Sequence, residues 1–205
     1  MNNKIYLYRM THIENIPHIL QYGITHTASL NCNPDYKPIG DASLINTRNS
    51  FKTPDGKSLG DYIPFYFGYR MPMLYVVQKG YNSVPTIAPE NIVYCVSSVQ
   101  RIIDLKIDFI FTDGHAVNGL SNFYTSNDVE NINTIIDFQA IKAKFWKDEN
   151  DLDLKRRKEA EFLVEGDIPV VAILGYVVYD DHAEKKLREM GIDAQRIIIR
   201  PTFYF

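Results

Sequence analysis

The stretch from Lys155 to Val164, KRRKEAEFLV, constrains this chain more than any other. It runs a basic, helix-favouring segment straight into an apolar run of strand type and leaves one carboxylate, Glu161, at the seam. On a strand, Glu161 and Leu163 point to one face, and Phe162 and Val164 to the other. Both faces are apolar, so the strand belongs inside a sheet, where an unpaired charge costs several kcal/mol or forces protonation. Glu161 therefore has two readings: an ion pair with Arg157, four residues earlier, or a charge put to use in a cleft.

The rest of the chain supplies the frame. IYLYR (Ile5 to Arg9) reads as a first strand, followed by a short helix. Thr11 and Glu14 fit a capping box for that helix; alternatively Asn15 is the cap, with Pro17 in the first turn, and Gly23 ends it. From Thr25 to Gly60 the sequence is polar, rich in Pro and Gly and without periodicity, as expected of a long functional loop. The aromatic run from Leu59 to Val77 is core-like, with bends at Pro64, Gly68 and Pro72. Strands follow at Ile92–Val96 and Ile107–Thr112. The clearest helix spans Asp128–Lys144, with Val129, Ile132, Ile136, Ala140 and Ala143 on one stripe. After the Glu161 strand come a second buried run, PVVAILGYVVYD, a helix HAEKKLREMG stopped at Gly191, and a closing strand, RIIIRPTFYF. Strands joined by irregular loops with few helices indicate an α+β fold.

At 205 residues the chain suits one domain, 1–205. Lys plus Arg number 22 against 25 Asp plus Glu, a net charge of -3. That excludes nonspecific coating of nucleic acid but leaves room for a local basic groove. Cys32 and Cys95 are isolated, the N-terminus lacks the apolar core of a secretory signal, and no apolar run approaches ~18 residues. These features predict reduced thiols in a cytoplasmic protein with no membrane span. The histidines lack metal-ligand spacing, so no metal is expected. Neither a GxGxxG nor a Walker sequence is present, which removes the Rossmann and P-loop readings.

Four features outside Glu161 invite chemistry, each with a plainer reading. His12 either caps the turn after the first strand or meets a ligand at the helix start. Arg48 is a solvated loop charge or a ligand contact. His115, in the turn FTDGHAV, is an exposed surface histidine or a stacking group. The Lys155–Lys158 run is a solvated helix face or a phosphate-binding track beside Glu161.

Taken in order, YRMTHIENIPHILQYGI, the IG…R stretch ending at Arg48, LGDYIPFYFGYRMPMLY, FTDGHA, RRKEAEFLV and RPTFYF resemble the DarT family of DNA ADP-ribosyltransferase toxins, most closely its thymidine-modifying branch. The resemblance implies an ADP-ribosyltransferase fold, a split β-sheet core whose central cleft binds NAD+ as a consumed co-substrate. It makes Glu161 the catalytic glutamate and Arg48 the group that contacts NAD+ and assists proton loss from the base. It places His12 at NAD+, with Ile13, Glu14, Gln21 and Gly23 lining the adenosine side. It implies single-stranded DNA as substrate, engaged through Lys155, Arg156, Arg157 and His115, and a macrodomain antitoxin as partner. The competing readings keep the fold but change the acceptor to guanine, RNA or protein, or make the chain a non-catalytic nucleic-acid-binding module.

Overall fold

The computed structural model, which describes residues 4–205, assembles eight strands into one open sheet. They are β1 (Tyr6–His12), β2 (Tyr62–Tyr66), β3 (Ile92–Ser98), β4 (Phe109–Thr112), β5 (Phe123–Thr125), β6 (Glu161–Glu165), β7 (Gly175–Val178) and β8 (Ile197–Ile199). Their spatial order is β5-β4-β6-β2-β1-β3-β7-β8. Every pairing is antiparallel except the one between β7 and β8. With the helices around it, this is an α+β fold.

β3 is buried along its whole length, and β6 from Glu161 to Val164, because each lies in the sheet's interior with cover on both faces. Phe162 and Val164 enter the main core, where Phe162 stacks on Phe109 at 4.5 Å and meets Phe67 edge-on at 6.1 Å. Leu163 faces the opposite way, into a small cluster with Leu59, Tyr62 and Ala116. Glu161 shares that second face, as the alternation required. The aromatic run around β2 is core in the main: Tyr62, Phe65 and Phe67 are buried, while Tyr69 is exposed.

The sheet parts between β1 and β2. These strands share one paired position, Tyr8 with Tyr66, although β1 runs on to His12. Continuing the ladder would bring Pro64 opposite β1, and proline has no N–H to offer. The Pro64 carbonyl instead accepts a hydrogen bond from Arg9 Nη1 at 2.9 Å. The opening beyond that point is the mouth of a cleft.

Among the described residues eight α-helices join the sheet, with short 3-10 turns between elements: α1 (Ile16–Tyr22), α2 (Ala42–Ser50), α3 (Pro72–Lys79), α4 (Val99–Asp104), α5 (Ile132–Ile135), α6 (Phe138–Lys142), α7 (Leu154–Lys158) and α8 (Asp181–Glu189). Three expectations need correction. The Thr11–Glu14 capping box does not form, because Thr11 stays in β1; His12 Nδ1 accepts the Glu14 N–H instead, and Pro17 sits in the first turn of α1. The polar stretch from Thr25 to Gly60 contains α2, which the absence of periodicity concealed because α2 buries none of its residues. The Asp128–Lys144 helix is broken. Ile136 is extended, and Asp137 caps a new helix by accepting the N–H groups of Gln139 and Ala140. A mid-run Asp that caps locally outcompetes the continuous helix, although Ile132, Ile136 and Ala140 still reach the core. The closing segment is a strand through Ile199 and then a 3-10 turn from Pro201 to Phe203.

Candidate active site

Glu161 opens β6, and its side chain is fully buried. Three contacts hold it. Arg48 Nη1 donates to Oε2 at 2.7 Å, the backbone N–H of Ala116 donates to Oε1 at 2.9 Å, and His115 Nε2 lies 4.0 Å from Oε1. The Glu161 backbone N–H donates to Thr112 Oγ1 at 3.2 Å, which fixes the start of the strand against the end of β4. A buried carboxylate with a guanidinium and an N–H on its two oxygens is compensated where it sits. The Arg157 pairing does not occur. Arg157 turns to Asp151 and lies 3.4 Å from Asp137 and 3.8 Å from Asp153. Acids of two segments, the cap of α6 and the loop before α7, thus claim it before Glu161 can.

Arg48 reaches Glu161 from the last turn of α2. It is a helix residue, not a loop residue, and its side chain is 16% exposed, so it is not a solvated charge. Asp41 caps the helix start, and its far end is tied down where Ser58 Oγ donates to the Asn49 carbonyl at 2.7 Å. Arg48 Nη2 is buried without a hydrogen-bond partner, a donor free to meet an incoming group.

Beside this pair runs a cleft of about 400 Å³. Arg9 and Thr11 of β1, Gly23 and His26 after α1, Arg48 on α2, and Tyr62 and Tyr66 on β2 form its walls, with His115 at its inner end. Gly23 is required there. Its φ is +83°, and an added Cβ would fall 2.0 Å from the Ile168 carbonyl oxygen. A second pocket, of about 670 Å³, adjoins the first through Tyr66, Met73, Leu44 and His115 and adds Lys155 and Glu159. Burial pushes the Glu159 carboxyl up to about 7, and it pushes His115 down, with Glu161 acting against it. Tyr66, opposite Glu161 in the ladder, is raised by burial first and by Glu161 and Glu159 after it.

The structure therefore brings Arg48, His115 and Gly23 together around Glu161 and the cleft. It leaves His12, Ile13, Glu14 and Gln21 off the cleft wall, with His12 spent on the Glu14 N–H. The basic run does not present an open phosphate track. Arg156 and Arg157 pair with acids, and buried Lys158 donates from Nζ to the carbonyls of Ile141 and Ala143, both at 2.9 Å. Lys155 remains exposed. Arg9, Ala116 and Glu159 escaped the sequence reading. Alternation with Leu7 and Thr11 is a signal for an inward Arg9, and the E-A-E spacing is one for Glu159. A backbone donor such as Ala116 carries none.

Comparison with known proteins identifies the family. The family described as ssDNA thymidine ADP-ribosyltransferase, DarT, matches residues 8–205. A DNA ADP-ribosyl transferase of Thermus sp. (strain 2.9) is 33% identical over 208 residues, covering 97% of this chain and 95% of its own. The structure of Thermus sp. 2.9 DarT in complex with ADP-ribosylated ssDNA superposes with a TM-score of 0.85 at 30% identity, over 98% of this chain and 96% of that one. The same protein in complex with NAD+ gives 0.81 at 29% identity, over 98% of both chains. A DNA ADP-ribosyl transferase-DNA ADP-ribosyl glycohydrolase fusion protein of Thermosipho africanus is 31% identical over 206 residues, 97% of this chain and 49% of the fusion.

Proposed function

The chain belongs to the DarT family of ssDNA thymidine ADP-ribosyltransferases, and from that premise we propose how its residues divide the reaction. The enzyme transfers ADP-ribose from NAD+, which it consumes, to a base in single-stranded DNA. We assign the acceptor as thymine, the catalytic carboxylate as Glu161 and Arg48, on the wall of the first cleft, as the cation that contacts NAD+ and assists proton loss from the base, with residues 8–205 acting as one catalytic unit. The observation that carries this reading is the buried Glu161 carboxylate, held by the Ala116 N–H and by Arg48, which lines the first cleft.

Cleaving the bond between nicotinamide and ribose develops positive charge at the anomeric carbon. A fixed carboxylate that accepts a hydrogen bond from the neighbouring ribose hydroxyl stabilises that charge most in the transition state. Glu161 Oε2 meets this need once Arg48 yields it to the ribose, and the Ala116 N–H keeps Oε1 in place meanwhile. A guanidinium stays protonated, so Arg48 acts by stabilising the anion that forms at the base nitrogen as its proton passes to water and the nitrogen bonds to the anomeric carbon that nicotinamide has left. Arg9 and Gly23 belong to the NAD+ side through the first cleft. The second pocket, with His115, Lys155 and Glu159 on its wall, takes the acceptor base. Single strands are preferred because a duplex hides the Watson–Crick edge, including thymine N3, and extrusion costs a few kcal/mol.

A DNA ADP-ribosyl glycohydrolase of the kind fused in the Thermosipho relative is the partner we expect to act as antitoxin. None of the helices among the described residues is long and apolar enough to cross a membrane. We place the protein in the cytoplasm, where NAD+ and DNA are both present. The test is incubation with NAD+ and oligonucleotides of defined composition, read by mass spectrometry. One ADP-ribose should be gained on thymine-containing single strands. Labelling of strands that lack thymine, or binding without any mass gain, would reject the assignment.

A further inference from the structure

Arg156 stands where a phosphate contact was expected, yet its guanidinium is used inside the protein. Nε and Nη2 donate to the two oxygens of Asp153 at 2.7 and 2.8 Å. Nη1 donates to Asp113 Oδ1 at 2.8 Å and to Ser121 Oγ at 3.3 Å. The side chains of Arg156 and Asp113 are 12% and 15% exposed. The Arg156 backbone is engaged as well, since its carbonyl accepts the His115 N–H at 2.9 Å. Gly114 lies flat against the same side chain, where an added Cβ would sit 2.4 Å from Nη1. Asp113 completes the lock by accepting from the Asn122 backbone and side-chain N–H groups at 2.9 and 2.8 Å.

The other side of this turn is the seat of Glu161. Thr112 Oγ1 accepts the Glu161 N–H and donates to the Gly114 carbonyl at 2.6 Å, and the Ala116 N–H holds Glu161 Oε1. A single short turn, residues 112–116, therefore touches Arg156 on one side and the carboxylate on the other.

We infer that Arg156 and Asp113 are a pair of positioning residues, which lock the 112–116 turn so that the Ala116 N–H and the His115 ring stay on the Glu161 carboxylate. The inference rests on the catalytic role proposed for Glu161. A reacting group must be held within about 0.5 Å of its working geometry, and a hydrogen-bond donor on a turn is only as fixed as the turn. Each partner is mostly buried. Removing Arg156 leaves the Asp113 carboxylate without its cation, and removing Asp113 leaves Arg156 on Asp153 with the turn untied from it.

A phosphate contact and a positioning pair respond differently to substitution. Arg156→Ala, assayed where it is folded by circular dichroism, should lower kcat by ~10- to 100-fold for both NAD+ hydrolysis and transfer to DNA. KM for a thymine-containing oligonucleotide and its salt dependence should not change. Arg156→Lys should recover part of the loss. Asp113→Asn separates the readings by sign, and it carries the test together with Arg156→Lys if Arg156→Ala fails to fold. Removing an acid beside a phosphate-binding arginine would tighten DNA binding, whereas breaking a positioning pair lowers kcat with affinity unchanged. Retained NAD+ hydrolysis with a raised oligonucleotide KM and a salt slope shallower by about 0.7 would overturn the inference, as would wild-type kinetics in all three variants. Glu161→Gln is measured alongside. Its inactivity beside wild-type Arg156 and Asp113 variants removes this inference alone, whereas its full activity removes the assignment of Glu161 itself.

Discussion

Two helices bring arginine to the neighbourhood of Glu161, and they use it in opposite ways. α2 buries none of its residues and carries one arginine, yet that arginine reaches the buried carboxylate. α7 has four basic residues among its five, and three of those four are spent on Asp153, Asp113, Asp151, Asp137 and main-chain carbonyls. The difference lies in where the acids are. The segment before α7 and the turn after β4 supply carboxylates within reach, so α7's charge is neutralised at home. No acid near α2 competes as well as Glu161 does. A run of basic residues is therefore a poor guide to a basic surface, and a lone arginine a poor guide to a solvated one.

The strongest way to break this comparison is Glu161→Gln, which keeps the shape and removes the charge that Arg48 pairs with and the oxocarbenium needs. Transfer should fall by at least ~10²–10³ with the melting transition still cooperative. Near wild-type turnover by folded Glu161→Gln would reduce the α2 contact to architecture. Arg48→Ala comes next. It should cut transfer by about 10²-fold and weaken NAD+ binding measured by calorimetry, since Arg48 stands on the cleft wall beside the carboxylate. Unchanged affinity together with unchanged DNA modification would return Arg48 to the plain reading.

At the end of α7, Glu159 gives a pH-dependent test. Burial raises its carboxyl from the ordinary 4.5 to about 7 in the folded protein. Between those values the folded state binds more protons than the unfolded one, so stability contributed here falls as pH rises through the window. Glu159→Gln should flatten that part of the stability curve and leave the variant more stable above pH 7, by up to about 3 kcal/mol. Denaturant titrations at pH 5 and pH 8 decide it, and equal slopes for variant and wild type would show that Glu159 does not titrate there.

The smallest effects separate residues within α7. Lys155→Ala, at an exposed position on the acceptor pocket, should lower the salt slope of single-strand binding by about 0.7 and weaken affinity a few-fold. Arg157→Ala should instead cost about 1 kcal/mol of stability and leave the salt slope alone, because its acids already hold it. Filter binding over a range of salt concentrations reads both, and equal slopes for the two variants would contradict the contrast.

The sequence alone determined most of the strands, though not β5 or the strand within the aromatic run, and the place of the key carboxylate. Alternation put Glu161 and Leu163 on one face and Phe162 and Val164 in the core, and the helix-to-strand seam fell at Glu161 as read. These are local properties, fixed by a repeat of two residues and by propensity. Gly23 as a helix stop was legible for the same reason. Tertiary structure decided the partners. Arg48 and Glu161 are 113 positions apart, and the helix that carries Arg48 has no buried face to betray it. Asp137 broke a helix whose apolar stripe read as continuous, and Asp151 and Asp137 took the arginine that spacing had offered to Glu161. Charge pairing depends on distance through space and on competition among all acids within reach, and neither is written in the local order of residues.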